Sequence, residues 1–232
     1  MIVLIDYANL PLLARTRGLA YLAERIFDSA TRIYPSIGTR VHCRLYSGWY
    51  SEGALTRQAQ LLAAEIIREF PRTLPTPLGA LIADMELAYA LEADPSRHLL
   101  RTFRKEAHVK GIGCRATSAA GCTRKACPLE AMAIFLQSDT CPDPGCPVKP
   151  EDFLFRGQQK LVDTMLTADI IHLAQRDPRI LCVVSSDDDL WPGIRMALLQ
   201  GMPLLHLHTR PNHTTHASYA SGVGPHYNQG TF

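Results

Sequence analysis

Short apolar runs separated by amphipathic stretches set the rhythm of this chain. Ile2 to Ile5 is a continuous apolar run, the pattern of a strand covered on both faces. From Gly18 to Tyr34 the apolar residues Leu19, Leu22, Ala23, Ile26, Phe27, Ala30 and Ile33 recur at intervals of three and four, which predicts a helix stopped by Pro35. Arg40 to Tyr46 alternates Val41, Cys43 and Leu45 with Arg40, His42 and Arg44, so it reads as a strand with one polar face. A second helix is expected from about Glu52 to Glu69. Ala80 to Leu91 fits either period, and Pro75 and Pro77 before it favour a strand. After strand character at Gly111 to Ala119, a long helix is expected from Gln158 to Arg176, ended by Asp177 and Pro178. Ile180 to Val184 is a second buried run; a helix to about Gln200 follows, with Gly201 as its C-cap, and Met202 to Leu207 is a last strand. This alternation predicts an α/β fold, a parallel sheet with helices on both faces.

At 232 residues with 47% hydrophobic and 20% charged positions, the chain is long enough for one large domain and too polar for a membrane protein. The opening apolar run has no basic residue before it, and no run approaches the roughly 18 residues of a spanning helix, so a cytoplasmic protein is expected. From Thr209 onward the residues are mostly Gly, Ser, Thr, His and Asn, which predicts a flexible tail over 209–232 beyond a domain of 1–208. The net charge of +2 says little, but its distribution says more. Between Arg97 and Lys125 eight basic residues, among them Arg101, Arg104, Lys105, Lys110, Arg115, Arg124 and Lys125, face one acid, Glu106, so that window carries seven positive charges and the rest of the chain is negative by five. A basic face apart from an acidic remainder suits phosphate binding, and equally a solvated helix face.

Asp6 and Asn9 directly follow the first buried strand, and Asp187 and Asp189 directly follow the second. Ligands of open α/β sheets bind at carboxyl strand ends, so if these strands are neighbours three carboxylates converge. Carboxylates that close raise one another's pKa unless a cation neutralises them, and an oxygen-only set suits Mg²⁺ or Mn²⁺. Asp163 supplies a fourth acid within an apolar stretch. Asp169, six residues on, is turned about 240° and lies about 9 Å further along a helix, so the two cannot face one ion and Asp163 is preferred. Ser185, Ser186 and Asp187 have an ordinary alternative role as caps of the following helix.

These residues carry a resemblance. Ile5-Asp6-Tyr7-Ala8-Asn9-Leu10 resembles the opening motif of NYN domains, members of the PIN-like nuclease superfamily. Lys160 to Asp169 resembles the family's K-x-V-D motif with its following aspartate, and Val183 to Gly193 resembles its S-G-D-x-D element, with Ser186 in place of the usual Gly and Leu190 in place of Phe. Tyr46 to Tyr50 is a further family-like stretch, and the resemblance spans about Met1 to His208. It implies a PIN-like fold and a metal-dependent endoribonuclease in which Asp6, Asp163, Asp187 and Asp189 hold Mg²⁺ or Mn²⁺, Asn9 orients a ligand and Ser185 hydrogen-bonds the same network. It also implies RNA as the partner, held at its backbone by the basic residues; Tyr7, Tyr46, Trp49 and Tyr50 are candidates for stacking on bases, with packing at the core rim as their other role. A catalytically inactive RNA-binding or scaffold protein is the alternative. A homo-oligomer and a regulatory protein partner are left open.

Cys122 and Cys127, then Cys141 and Cys146, form two like-spaced pairs within a Cys/Pro-rich insertion at 114–150. Four thiolates in two short pairs are what a structural Zn²⁺ takes, in the manner of a zinc ribbon; free thiols or a regulated disulfide are the other outcomes. Five of the nine histidines, His206, His208, His213, His216 and His226, lie near the C-terminus, where a second metal site competes with plain solvent exposure.

Overall fold

The opening apolar run forms β1 (Ile2–Asp6), buried along its whole length. Its side chains alternate between two cores: Val3 and Ile5 pack with Leu22, Ile26 and Leu62, while Ile2 and Leu4 pack with Leu166, Ile170 and Ile194. A central strand with two apolar faces needs helices on both sides, and that is how the chain continues. The computed structural model describes residues 1–35, 38–76, 79–106, 114–123, 127–176 and 179–232, in two compact units: Met1–Phe103 with Gln159–Phe232, and Arg104–Gln158.

In the larger unit β1 is followed by α1 (Leu12–Thr16), α2 (Leu19–Ile33), β2 (Arg40–Tyr46), a small hairpin of β3 (Tyr50–Ser51) and β4 (Ala54–Leu55), α3 (Arg57–Glu69), β5 (Arg72–Thr76) and β6 (Gly79–Leu87). The helix expected from Glu52 starts only at Arg57, because the Thr56 side chain accepts the Ala59 N–H and caps it there. The smaller unit contains α4 (Pro128–Ser138) and α5 (Pro150–Phe153), and all but one residue each of β7 (Phe103–Glu106) and β8 (Arg156–Gln159), whose Phe103 and Gln159 belong to the larger unit. The chain then gives α6 (Val162–Arg176), β9 (Leu181–Val184), α7 (Trp191–Leu199), β10 (Leu204–His208), α8 (Ala217–Ala220) and β11 (Tyr227–Thr231). The helix expected from Gln158 begins at Val162 instead: residues 156–159 are strand, and Leu161 sits at φ 66°, a left-handed conformation no helix passes through.

Seven strands form one sheet in the order β11-β10-β9-β1-β2-β6-β5. Every pairing is parallel except β5 with β6, so the sheet is mixed rather than wholly parallel as expected. The antiparallel edge arises because only two residues, 77 and 78, separate β5 from β6, too few for a crossover helix. The ambiguous stretch from Ala80 is the strand β6. From β1 the chain builds toward β2 and β6, then returns to lay β9 on the opposite side of β1. The switch in strand order therefore falls between β1 and β9. Among the described residues, no helix is long and apolar enough to cross a membrane.

The expected flexible tail is corrected. β11 pairs in parallel with β10 from Leu204↔Tyr227 to His208↔Thr231, and the Ser29 hydroxyl donates to the Thr231 carbonyl at 3.1 Å. A polar segment can close a sheet edge because backbone hydrogen bonds, not side chains, hold an edge strand. β10 beneath it is buried at every position. A chain ended after His208 is expected to lose on the order of 3 kcal/mol or more, from re-exposed apolar area and lost ladder bonds, and to aggregate through its bare edge. Urea unfolding of the truncated chain checks this, and a midpoint equal to that of the full chain would contradict it.

The insertion is also redrawn. The compact unit runs from Arg104 to Gln158, wider than 114–150, and holds a helix, α4, whose Phe135 packs edge-on against Phe153 at 6.5 Å. Of the strand expected at Gly111 to Ala119, residues 111–113 lie outside the described residues and 114–119 form no strand.

Candidate functional site

Asp6 ends β1, and Ser185 to Asp187 follow β9 directly. The two strands pair in register, Ile5↔Val184, so their next residues emerge side by side at the switch in strand order. Asp163 comes from the first turn of α6. One carboxylate oxygen from each of Asp6, Asp163 and Asp187 lies within 4.8 Å of the others, with Asp6 buried, Asp187 half-buried and Asp163 exposed. Among the described residues this is the one such gathering of three or more potential metal ligands.

A hydrogen-bond frame fixes the two loops that carry it. The Ser185 hydroxyl donates to Asp6 Oδ2 at 2.9 Å and accepts the Asp187 N–H at 3.0 Å, while the Asn9 N–H donates to Asp6 Oδ1 at 3.3 Å. Asn9 Oδ1 accepts the Ser186 N–H at 3.0 Å and the Thr209 hydroxyl at 2.6 Å. The Ser186 hydroxyl in turn accepts the N–H groups of Thr209 and Arg210 at 2.8 and 3.0 Å. Asn9, expected to touch a ligand, is thus a tie between three chain segments. Thr209 was not singled out from sequence; no local pattern marks it, since its partners are some 200 and 23 residues away. Ser186, in the place of a glycine in the resembled motif, uses its hydroxyl as the hub of this frame.

The electrostatics ask for a cation. Burial pushes the Asp6 carboxyl up to about 6, the Ser185 and Asn9 hydrogen bonds opposing the shift, and the charges of Asp163 and Asp187 adding to it. Asp163 is raised as well, by desolvation and then by Asp187 and Asp189. Three oxygens that repel one another around a shared point, on a frame already hydrogen-bonded, fit a hard divalent ion held by carboxylates and water. Asp189 is exposed and outside the gathered three; its N–H donates to Asp187 Oδ1 at 3.0 Å, and its charge is felt by Asp163.

Asp6 makes the metal-free fold pH-sensitive. Its folded value near 6 lies above the ordinary 3.8, so its stabilising contribution is complete below about 4 and is lost as pH rises through about 6. The loss is roughly 3 kcal/mol at 1.36 kcal/mol per pK unit. Asp6→Asn is therefore expected to melt higher than the wild type in EDTA at pH 7.5, the gap narrowing as pH falls and closing by about pH 3.5. Thermal melts across that range check it; a gap independent of pH would contradict it.

No family model, no curated protein and no solved structure matches the chain.

The remaining candidates fall elsewhere. Asp169 is 1% exposed and belongs to a separate buried network: it accepts the Tyr46 hydroxyl at 2.6 Å and the Glu92 N–H at 2.8 Å, with Arg44 Nη2 at 3.6 Å. Arg44, placed by the alternation on a polar face, is itself buried and pairs with Glu86 and Glu92. The stacking candidates are corrected: Tyr7, Tyr46, Trp49 and Tyr50 are all buried, Trp49 completely, with its indole N–H given to the Leu45 carbonyl at 2.9 Å. They pack the core rim because β2 runs between helix layers to its last residue.

The basic residues are divided. Arg101 is exposed and paired with Glu52 at 3.2 Å. Arg104, Lys105 and Arg115 belong to the smaller unit, where the Lys105 ammonium stands over the Phe155 ring at 5.2 Å. Lys110, Arg124 and Lys125 lie outside the described residues. Cys122, Cys127, Cys141 and Cys146 are not joined in disulfides and, among the described residues, are not gathered as a metal-binding group. Cys127 is drawn aside as the N-cap residue of α4, with Pro128 in the first turn.

Proposed function

We propose that the chain is a divalent-metal-dependent endoribonuclease of the PIN-like, NYN type, with Mg²⁺ or Mn²⁺ held by Asp6, Asp163 and Asp187. The observation that carries this is the gathering of three carboxylates from three separate chain segments at the carboxyl ends of adjacent parallel strands. Chance surface acids rarely include one that is 5% exposed, raised to about 6 and tied on both oxygens. The order and spacing of the three acidic motifs support the nuclease class and RNA as substrate.

A divalent ion at this place supplies Lewis acidity, activating water and stabilising charge on a phosphodiester. The residues do the rest. Ser185 and the Asn9 N–H aim the Asp6 lone pairs, so its geometry is set before any ligand arrives. Asp163, on the exposed side, is open to solvent and substrate, and Asp189 adds negative charge that favours a cation without being among the three. Asp6 is a poor nucleophile, because it is buried and both its oxygens accept hydrogen bonds; hydrolysis by water is favoured over phosphoryl transfer to aspartate.

The test is incubation of the purified full-length chain with a mixed pool of single-stranded and structured RNA in Mg²⁺, Mn²⁺ or EDTA. Cleavage that requires the metal and is lost in Asp187→Asn is expected. RNA that is bound but left intact in every metal would overturn the nuclease and favour the inactive binding protein.

A further inference from the structure

Of the five C-terminal histidines, His216 and His226 are exposed and His213 is half-buried, whereas the two on β10 are not solvent-facing. His206 and His208, alternate-but-one neighbours on β10, are buried, with ring centroids 4.1 Å apart, and His213 meets His208 edge to face at 4.9 Å. His206 is fully satisfied: Nε2 donates to the Ser185 carbonyl at 3.0 Å and Nδ1 stands 3.1 Å from the Tyr227 hydroxyl. His208 is different. Its Nε2 lies 3.1 Å from Gln229 Oε1, an atom that already accepts the Thr215 N–H at 3.0 Å and is therefore the amide oxygen. His208 Nε2 must then carry the proton, which leaves Nδ1 as a bare lone pair. That Nδ1 is buried without a partner in a residue 1% exposed, and Nε2 of the adjoining His213 is likewise buried without a partner.

Two unpartnered imidazole nitrogens on touching rings, one with its tautomer fixed by a hydrogen bond from the opposite nitrogen, are the arrangement that metal-ligating histidines have with their outer partners. We propose that His208 Nδ1 and His213 Nε2 bind one Zn²⁺, with the Asp188 carboxylate and water completing a tetrahedral set. Imidazole nitrogens with one carboxylate suit Zn²⁺ over the Mg²⁺ or Mn²⁺ preferred by an all-oxygen site. Asp188 is exposed on the loop after β9, and its charge is felt by His208. These three groups are not yet gathered as the acidic triad is, so binding turns the exposed Asp188 side chain inward. Desolvation keeps His208 neutral, the form a metal requires.

The site is separate from the acidic triad and does not depend on its function. It has a structural consequence for it: the loop closed by His208 and His213 carries Thr209 and Arg210, which hold Asn9 and Ser186. Zinc would pin that loop at both ends.

The test counts Zn²⁺ per chain by equilibrium dialysis of the metal-stripped full-length protein, for the wild type, His213→Gln, Asp188→Asn and Asp6→Asn. His213 is only half-buried, so His213→Gln is expected to fold, as checked by circular dichroism. One fewer Zn²⁺ in His213→Gln and about tenfold weaker binding in Asp188→Asn are expected, and Asp6→Asn, whatever Zn²⁺ the triad itself gives up, keeps the ion that His213→Gln loses. Co²⁺ in place of Zn²⁺ should give a tetrahedral visible spectrum that His213→Gln removes, while any thiolate-to-metal band from the cysteines persists in both. A folded His213→Gln with the wild-type Zn²⁺ count and Co²⁺ spectrum would overturn the site, as would a wild type whose only Co²⁺ bands are thiolate bands.

Discussion

Asp163→Asn and Asp187→Asn are each expected to lower RNA cleavage by roughly 10³-fold while leaving the melting temperature of the metal-free protein unchanged or higher. Each carboxylate is one of three oxygens gathered around a shared point, so its loss removes a ligand and a source of transition-state charge stabilisation together. Neither side chain holds the fold: Asp163 is exposed and Asp187 half-buried. Removing either also lessens the repulsion that raises Asp6, which is why stability does not fall. Asp189→Asn, outside the gathered three, should cost activity less than either. Rates at saturating Mn²⁺ with melts in EDTA check the pair of claims; an Asp163→Asn protein that unfolds, or cleaves at the wild-type rate, would contradict them.

Asp169→Ala is expected to do the reverse, with a loss of roughly 3–5 kcal/mol in stability. Its carboxylate is almost wholly buried and accepts from the Tyr46 hydroxyl and the Glu92 N–H beside the Arg44 guanidinium. Truncation would strand a buried hydroxyl and leave the charges around Arg44 one carboxylate short, the situation in which breaking a buried network is most costly. Asp169→Asn keeps an acceptor for Tyr46 and should lose less than half as much. Urea unfolding of the two variants measures this, and equal, small losses would show that Asp169 is not structural. Two aspartates six residues apart on one helix are thereby predicted to fail in opposite ways.

That contrast also marks how far sequence reaches. The acids at Asp6 and Asp187 were legible because a continuous apolar run identifies a buried strand, and a residue just past its end has nowhere to go but the carboxyl edge of the sheet. Helical periodicity alone separates Asp163 from Asp169, since six residues cannot return to the same face. What Asp169 does instead was not legible, because its partners Tyr46 and Arg44 are more than 120 residues away and the alternation of β2 puts Arg44 on a face that looks polar. Burial of that face depends on α6 crossing it, which is a tertiary fact. The C-terminal segment misled for a related reason: Thr215, Tyr227 and Gln229 look like solvent-loving loop residues, yet they hydrogen-bond one another and the buried histidines of β10. Polar composition signals disorder only when the polar groups have no partners but water. The aromatic residues near strand ends failed as stacking candidates on the same ground, since nearness to a strand end does not say which side of the sheet rim is open.

The central claim, that Asp6, Asp163 and Asp187 together hold a divalent ion, is tested most directly by titrating the metal-stripped full-length chain with Mn²⁺ and following the free ion by electron paramagnetic resonance. Saturable binding that is lost in Asp6→Asn and Asp187→Asn, and kept in Asp169→Asn, is the result predicted. Binding of the same strength and stoichiometry in the wild type and in both triad variants would contradict it.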